Sequence, residues 1–170
     1  MASIQSGKEV KVTIPTSASE LTVEQYQRFL KVEGDETFKL LKALEIFANI
    51  PLKVAHQMQV EDVFSISTDV LTLINTTYPL KRTLSFRGQL YGFIPNLEDI
   101  TYGEYIDLDD YLSDFDQLHQ AMGVLYRPVV TQHKHLYDIA PYVPNDGYKD
   151  FPLDVALGAT LFFSTLRNKL

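Results

Sequence analysis

Val10, Val12 and Ile14 alternate with Lys11 and Thr13, the period of a half-buried strand, and Pro15 stops it. After a small, polar loop, Thr22 and Gln25 stand at capping-box spacing, with Leu21 placed to staple the turn. The helix they open should bury Tyr26, Phe29 and Leu30. Gly34 marks a turn, and Asp35 N-caps a second helix carrying Phe38, Leu41, Leu44 and Phe47 at helical spacing. Pro51 disfavours helix at Ile50 and ends it. Leu52 to Gln59 reads as a loop with a short extended piece. Val60, Val63, Phe64, Ser67, Val70, Leu71 and Ile74 then predict a third helix, rich in β-branched residues.

The second half changes rhythm. Thr83–Phe86 and Gln89–Ile94 flank Arg87-Gly88, a hairpin signal. Thr101 and Glu104 repeat the capping-box spacing and open a short acidic helix or turn. From Leu108 through Tyr111, Leu112, Phe115, Leu118 and Met122 to Leu125, apolar positions keep an almost unbroken three-and-four spacing. Arg127-Pro128 ends that helix, with Arg127 placed for the negative end of its dipole. Leu136 to Ala140 offers a further strand, and 141–150 is a loop. The last helix starts at Pro152 and is apolar nearly all round from Val155 to Leu166, so it is buried on several sides or covered by a partner.

Together these elements predict an α+β fold in a single globular domain over 1–170. About five helices pack on a small antiparallel sheet built around the 83–94 hairpin, joined by the strand at 10–14 and the one at 136–140. The expected core is Phe29, Leu41, Leu44, Phe47, Phe64, Leu71, Phe93, Leu112, Phe115, Met122, Leu125, Val155, Ala159 and Phe162.

Charge sharpens one stretch. The chain carries a net charge of -7, yet no Lys or Arg lies between Arg87 and Arg127, where eight acids fall. The rest is close to balanced. An acidic chain of this kind is a poor binder of nucleic-acid backbones, which need clustered Lys and Arg. There is no cysteine, hence no disulfide and no thiolate metal site. No apolar run has the length of a signal peptide or a membrane span, so a soluble protein is expected.

Chemistry is hard to find. The run DLDDYLSDFD does not fit a calcium loop, because Leu112 and Leu118 stand where Gly and Glu are required. On a helix, Asp107, Asp110 and Asp114 share one face opposite the apolar stripe, the pattern of a solvated or partner-contacting surface. A divalent site or a catalytic carboxylate pair needs a second group from elsewhere in the chain. His133 and His135 flank Lys134 and read as a surface loop, while His56 and His119 stand apart. No His-Glu-x-x-His, glycine-rich phosphate loop or Gly-x-Ser-x-Gly occurs. No cofactor and no enzymatic activity are expected. Glu98, Asp99, Tyr102, Glu104, Tyr105, Asp107, Asp110 and Asp114 form the candidate partner-docking face, with aromatic rings beside carboxylates.

Four blocks carry a resemblance: KVTIP with ELTVEQYQRFL, GFIPNLEDITYGEYIDLDDYL, AMGVLYRPV and FPLDVALGATLFFSTL. Together they span most of the chain and resemble small, mostly uncharacterised proteins encoded among the structural and morphogenesis genes of tailed bacteriophages. The blocks are packing and capping patterns with no catalytic residues to carry over. The resemblance implies a non-enzymatic role in virion building, with other phage structural proteins, or further copies of the chain, as partners. One form is an assembly factor similar to the tail-assembly chaperones, acting in the host cytoplasm. Another is a component retained in the virion, in the neck, tail or capsid interior. A third role, an acidic nucleic-acid mimic that inhibits an enzyme, normally spreads charge over the whole surface, whereas here it sits in one window.

Overall fold

The computed structural model describes residues 2–3, 9–10, 12–145 and 147–168. They gather into two compact units, Met1–Thr76 and Thr77–Leu170.

In the first unit, β1 (Ala2–Ser3) pairs antiparallel with β2 (Glu9–Val10) in a sheet of their own. The strand expected over 10–14 therefore does not join the hairpin sheet. Val10 ends β2, Lys11 lies outside the described residues, and 12–16 have no regular structure. Three alternating apolar residues specify an extended, half-buried segment but not the edge it pairs with.

The helix α1 (Val23–Leu30) opens on the expected capping box, with Gln25 N donating to Thr22 Oγ1 and Thr22 N to Gln25 Oε1. It buries Val23 and Gln27, while Tyr26 and Phe29 are half-buried and Leu30 is exposed, a correction of one helical step. Asp35 caps α2 (Glu36–Ala48) through Phe38 N at 2.8 Å, and Asn49 closes it at φ 55°, the left-handed end that Asn tolerates.

Leu52 to Gln59, expected to be loop and extended chain, instead holds the one-turn helix α3 (Leu52–Ala55), which Pro51 precedes. In α4 (Val60–Asn75) the buried stripe is Ile66, Ser67, Val70 and Ile74. Phe64 is 53% exposed, so its place in the expected core is wrong. Ser67 is accommodated because its hydroxyl donates back to Val63 O at 2.6 Å.

The second unit is built on a four-stranded antiparallel sheet in the order β3 (Thr83–Phe86), β4 (Gln89–Phe93), β5 (Tyr126–His133), β6 (Leu136–Ile139). The hairpin and the strand near 136 stand as expected. Arg87 and Gly88, at φ 53° and 73°, make the positive-φ turn that suits the twist of the two strands.

Strand β5 was hidden by Pro128, which lies inside it opposite Tyr91. Proline cannot donate to a ladder, but its carbonyl accepts Ala140 N at 2.9 Å, and a register shift follows between Val129 and Thr131.

The long helix expected up to Leu125 is also divided. The pieces are α5 (Tyr102–Leu112), a 3₁₀ turn at Phe115–Gln117, and α6 (Leu118–Leu125). Asp114 breaks it by accepting the Asp116 N–H, a side-chain alternative to the helical bond. The last helix is α7 (Leu153–Asn168). Its Gly158 lies so close to the preceding chain that a Cβ would stand 2.4 Å from Pro79 O. The α+β class holds, with seven α-helices among the described residues instead of about five.

Leu44, Phe47, Phe93, Met122, Leu125, Val155 and Ala159 are buried as expected, whereas Phe29, Leu41, Leu71, Leu112 and Phe162 are half-buried. Phe115 is exposed because it falls in the 3₁₀ turn. The centre of the second unit is aromatic instead: Phe86, Tyr126, Tyr148 and Phe151. Tyr148 donates to Tyr126 O at 2.7 Å, and Tyr126 donates to Lys81 O at 2.6 Å.

Burial raises both hydroxyls, Tyr148 from 10.0 to about 12. The unfolded chain thus loses these protons first, and the stability they contribute is complete below about pH 10 and lost as pH rises through about 12. Denaturant midpoints should fall across that window, and Tyr148→Phe should flatten the fall. An equal slope in wild type and variant would contradict this.

Candidate functional site

Helix α5 starts at a second capping box, Glu104 N to Thr101 Oγ1 at 3.1 Å and Thr101 N to Glu104 Oε2 at 3.0 Å. The other oxygen of Glu104 receives Arg127 Nη1 at 3.2 Å, and the same nitrogen donates to Ala140 O. Arg127 directly follows the C-cap of α6, as the sequence pattern implied, but its side chain turns to Glu104 and Ala140 O. It lies in β5, nearly buried, and fastens the first turn of α5 to the sheet. Its Nε has no hydrogen-bond partner among the described residues. The next attachment is at Asp107, which accepts the Tyr142 hydroxyl at 2.8 Å. Burial, then the hydrogen bond to Asp107, raises Tyr142 above the ordinary tyrosine value and keeps it a donor.

Held in this way, α5 forms one wall of a surface cavity of about 390 Å³, whose other wall is the second half of α7. Tyr105, Leu108 and Leu112 line it from α5, and Phe163, Ser164 and Leu166 from α7. Leu97 and Ile100 also line it, and so does Asp109. The spacing 105, 108, 109, 112 is one face of a helix. This explains how α7, apolar nearly all round, is finished: Val155, Ala156 and Ala159 are buried, while Leu161 and Leu166 stay exposed.

The eight residues of the expected docking face divide. Glu98 and Asp99 are exposed on the 3₁₀ turn Leu97–Asp99, and Tyr102, Tyr105 and Asp110 are exposed on α5. Tyr102 is 77% exposed. Glu104 turns inward to Arg127 and Asp107 to Tyr142, so neither presents a carboxylate in the manner expected. Asp114 is exposed but caps the 3₁₀ turn and lies beyond α5, off the face it was assigned to share with Asp107 and Asp110.

Sequence reasoning missed the apolar half of the site. Its one visible signal was the excess of apolar residues in α7, with nothing to say that Phe163 and Leu166 would face α5.

His133 is the last residue of β5 and His135 follows in the turn to β6, both exposed, whereas His119 is buried in α6. Among the described residues no group of three or more His, Asp or Glu is placed to hold a metal ion, and no helix is long and apolar enough to cross a membrane. The cleft is lined mostly by apolar side chains, with the Asp109 carboxylate among them. Comparison with protein-family models, with curated proteins and with solved structures finds no match.

Proposed function

We propose that the protein is a non-enzymatic morphogenesis factor of a tailed bacteriophage, acting through protein–protein contacts as an assembly factor or chaperone for tail or neck components. The observation that carries the contact role is the open α5–α7 cleft, where large apolar side chains line a surface cavity. The four sequence blocks supply the phage context. A face that combines apolar area with exposed rings and carboxylates suits a partner held reversibly, since such charges favour encounter and register more than tight holding.

Mass spectrometry of assembling lysates and of purified particles tests the proposal. The protein should accompany tail or neck components before assembly is complete and be missing from finished virions. Stoichiometric copies in the virion would replace the chaperone role with a structural one. Absence from both fractions would sink the morphogenesis reading.

A further inference from the structure

The two walls of the α5–α7 cleft are the least buried helical segments of the second unit. Leu108 is the one buried residue among the 11 of α5, whereas α6 buries 7 of its 8. In α7, Leu153, Val155, Ala156 and Ala159 are buried, but from Leu161 onward no described side chain is. Apolar burial ties the opening of a segment to unfolding of the whole unit, and a segment that buries little can open by itself.

Helix α5 is also complete in itself. Its capping box lies within Thr101 and Glu104 and uses Oε2 of the carboxylate, while Oε1 faces Arg127. Parting from Arg127 therefore leaves the cap intact. At the other end Ser113 Oγ donates to Asp110 O at 2.7 Å. The 3₁₀ turns on either side, Leu97–Asp99 and Phe115–Gln117, bury no residue. Each is closed by its own cap, Glu98 N donating to Asn96 Oδ1 and Asp116 N to Asp114 Oδ1. A helix between two exposed turns can swing without disturbing the core, because the few residues at its ends absorb the rotation. Against that swing stand Leu108 and two clips one turn apart, Glu104 to Arg127 and Asp107 to Tyr142.

We propose that α5 is a hinged wall. It swings off β5 and the loop after β6 as one helix, pivoting on the two 3₁₀ turns. The cleft thereby passes from its cavity of about 390 Å³ to a wider state that bares Leu108, Leu112 and Phe163. The motion belongs to this chain alone, whatever the cleft receives, and stands apart from the morphogenesis role.

Native-state hydrogen exchange of the full chain tests it. The helix-bonded amides of α5, from Tyr105 to Leu112, should exchange through one common opening. That opening should occur about a hundredfold more often than the one that frees α6, or β5 where it pairs with β4. Low denaturant should hardly change it, since little surface is exposed in the swing. Tyr142→Phe removes the Asp107 clip and should raise α5 exchange about tenfold while leaving α6 unchanged. Amides of α5 that exchange no faster than those of α6, or with protection graded inward from the helix ends as in fraying, overturn the proposal. So does α5 exchange that Tyr142→Phe leaves unmoved, or raises by the same factor as that of α6.

Discussion

Replacing Arg127 with Met should cost about 3–5 kcal/mol of folding stability, because it leaves the Glu104 carboxylate largely buried without its cation. The loss should appear as a lower denaturant midpoint. Adding Glu104→Gln should then recover much of it. Gln removes the stranded charge yet still fills the third position of the capping box, where Glu and Gln both serve. A double variant no more stable than Arg127→Met would show that the cost lies in lost packing of the arginine stem and not in charge. The pair also bears on function. Arg127 joins α5 to β5 and to Ala140 after β6, so the α5 wall of the cleft should loosen in the single variant. Binding of a partner at the cleft should weaken with it and return in the double variant.

A comparable loss, about 3–5 kcal/mol, is expected for Phe151→Ala. The ring is fully buried, with centroids 5.1 Å from Phe86, 5.2 Å from Tyr126 and 5.6 Å from Tyr148. Removing it opens a cavity among side chains already fixed by the Tyr148 and Tyr126 hydrogen bonds, which limits collapse. Phe64→Ala, at a more than half-exposed position, should stay within about 1 kcal/mol of wild type. Chemical denaturation of the two variants in parallel checks both statements. Equal losses would contradict the assignment of the core.

That contrast shows where sequence reading stops. Phe64 was expected in the core because it belongs to the stripe Val60, Val63, Phe64, Ser67, Val70, Leu71 and Ile74, of which only Ser67, Val70 and Ile74 are buried. In a helix with apolar residues on several sides, spacing identifies the helix but not its inward face. Phe151 offered no periodicity, since it stands in a turn ahead of α7, and only the tertiary cluster reveals it.

The caps were legible because they are local: Thr22 with Gln25, Asp35 with Phe38 N, and Thr101 with Glu104 all act within one turn. The hairpin at Arg87-Gly88 was legible for the same reason. The break at Asp114 was local too, yet the apolar spacing ran on through the 3₁₀ turn and masked it. The pairing of Glu104 with Arg127 links positions far apart in sequence, and Pro128 disguised the strand that makes it. For the candidate site, the exposed acids and tyrosines could be read from the chain. The cleft beside them could not, because its second wall comes from α7.

The most direct test of the proposed partner-binding role is purification of the tagged full chain from cells co-expressing a panel of tailed-phage neck and tail proteins, with complex mass determined by light scattering. The account predicts a defined complex with one of those proteins, which Ser164→Lys dissolves and Thr165→Lys preserves. Elution of the wild-type chain alone, in the presence of every one of those proteins, would contradict it.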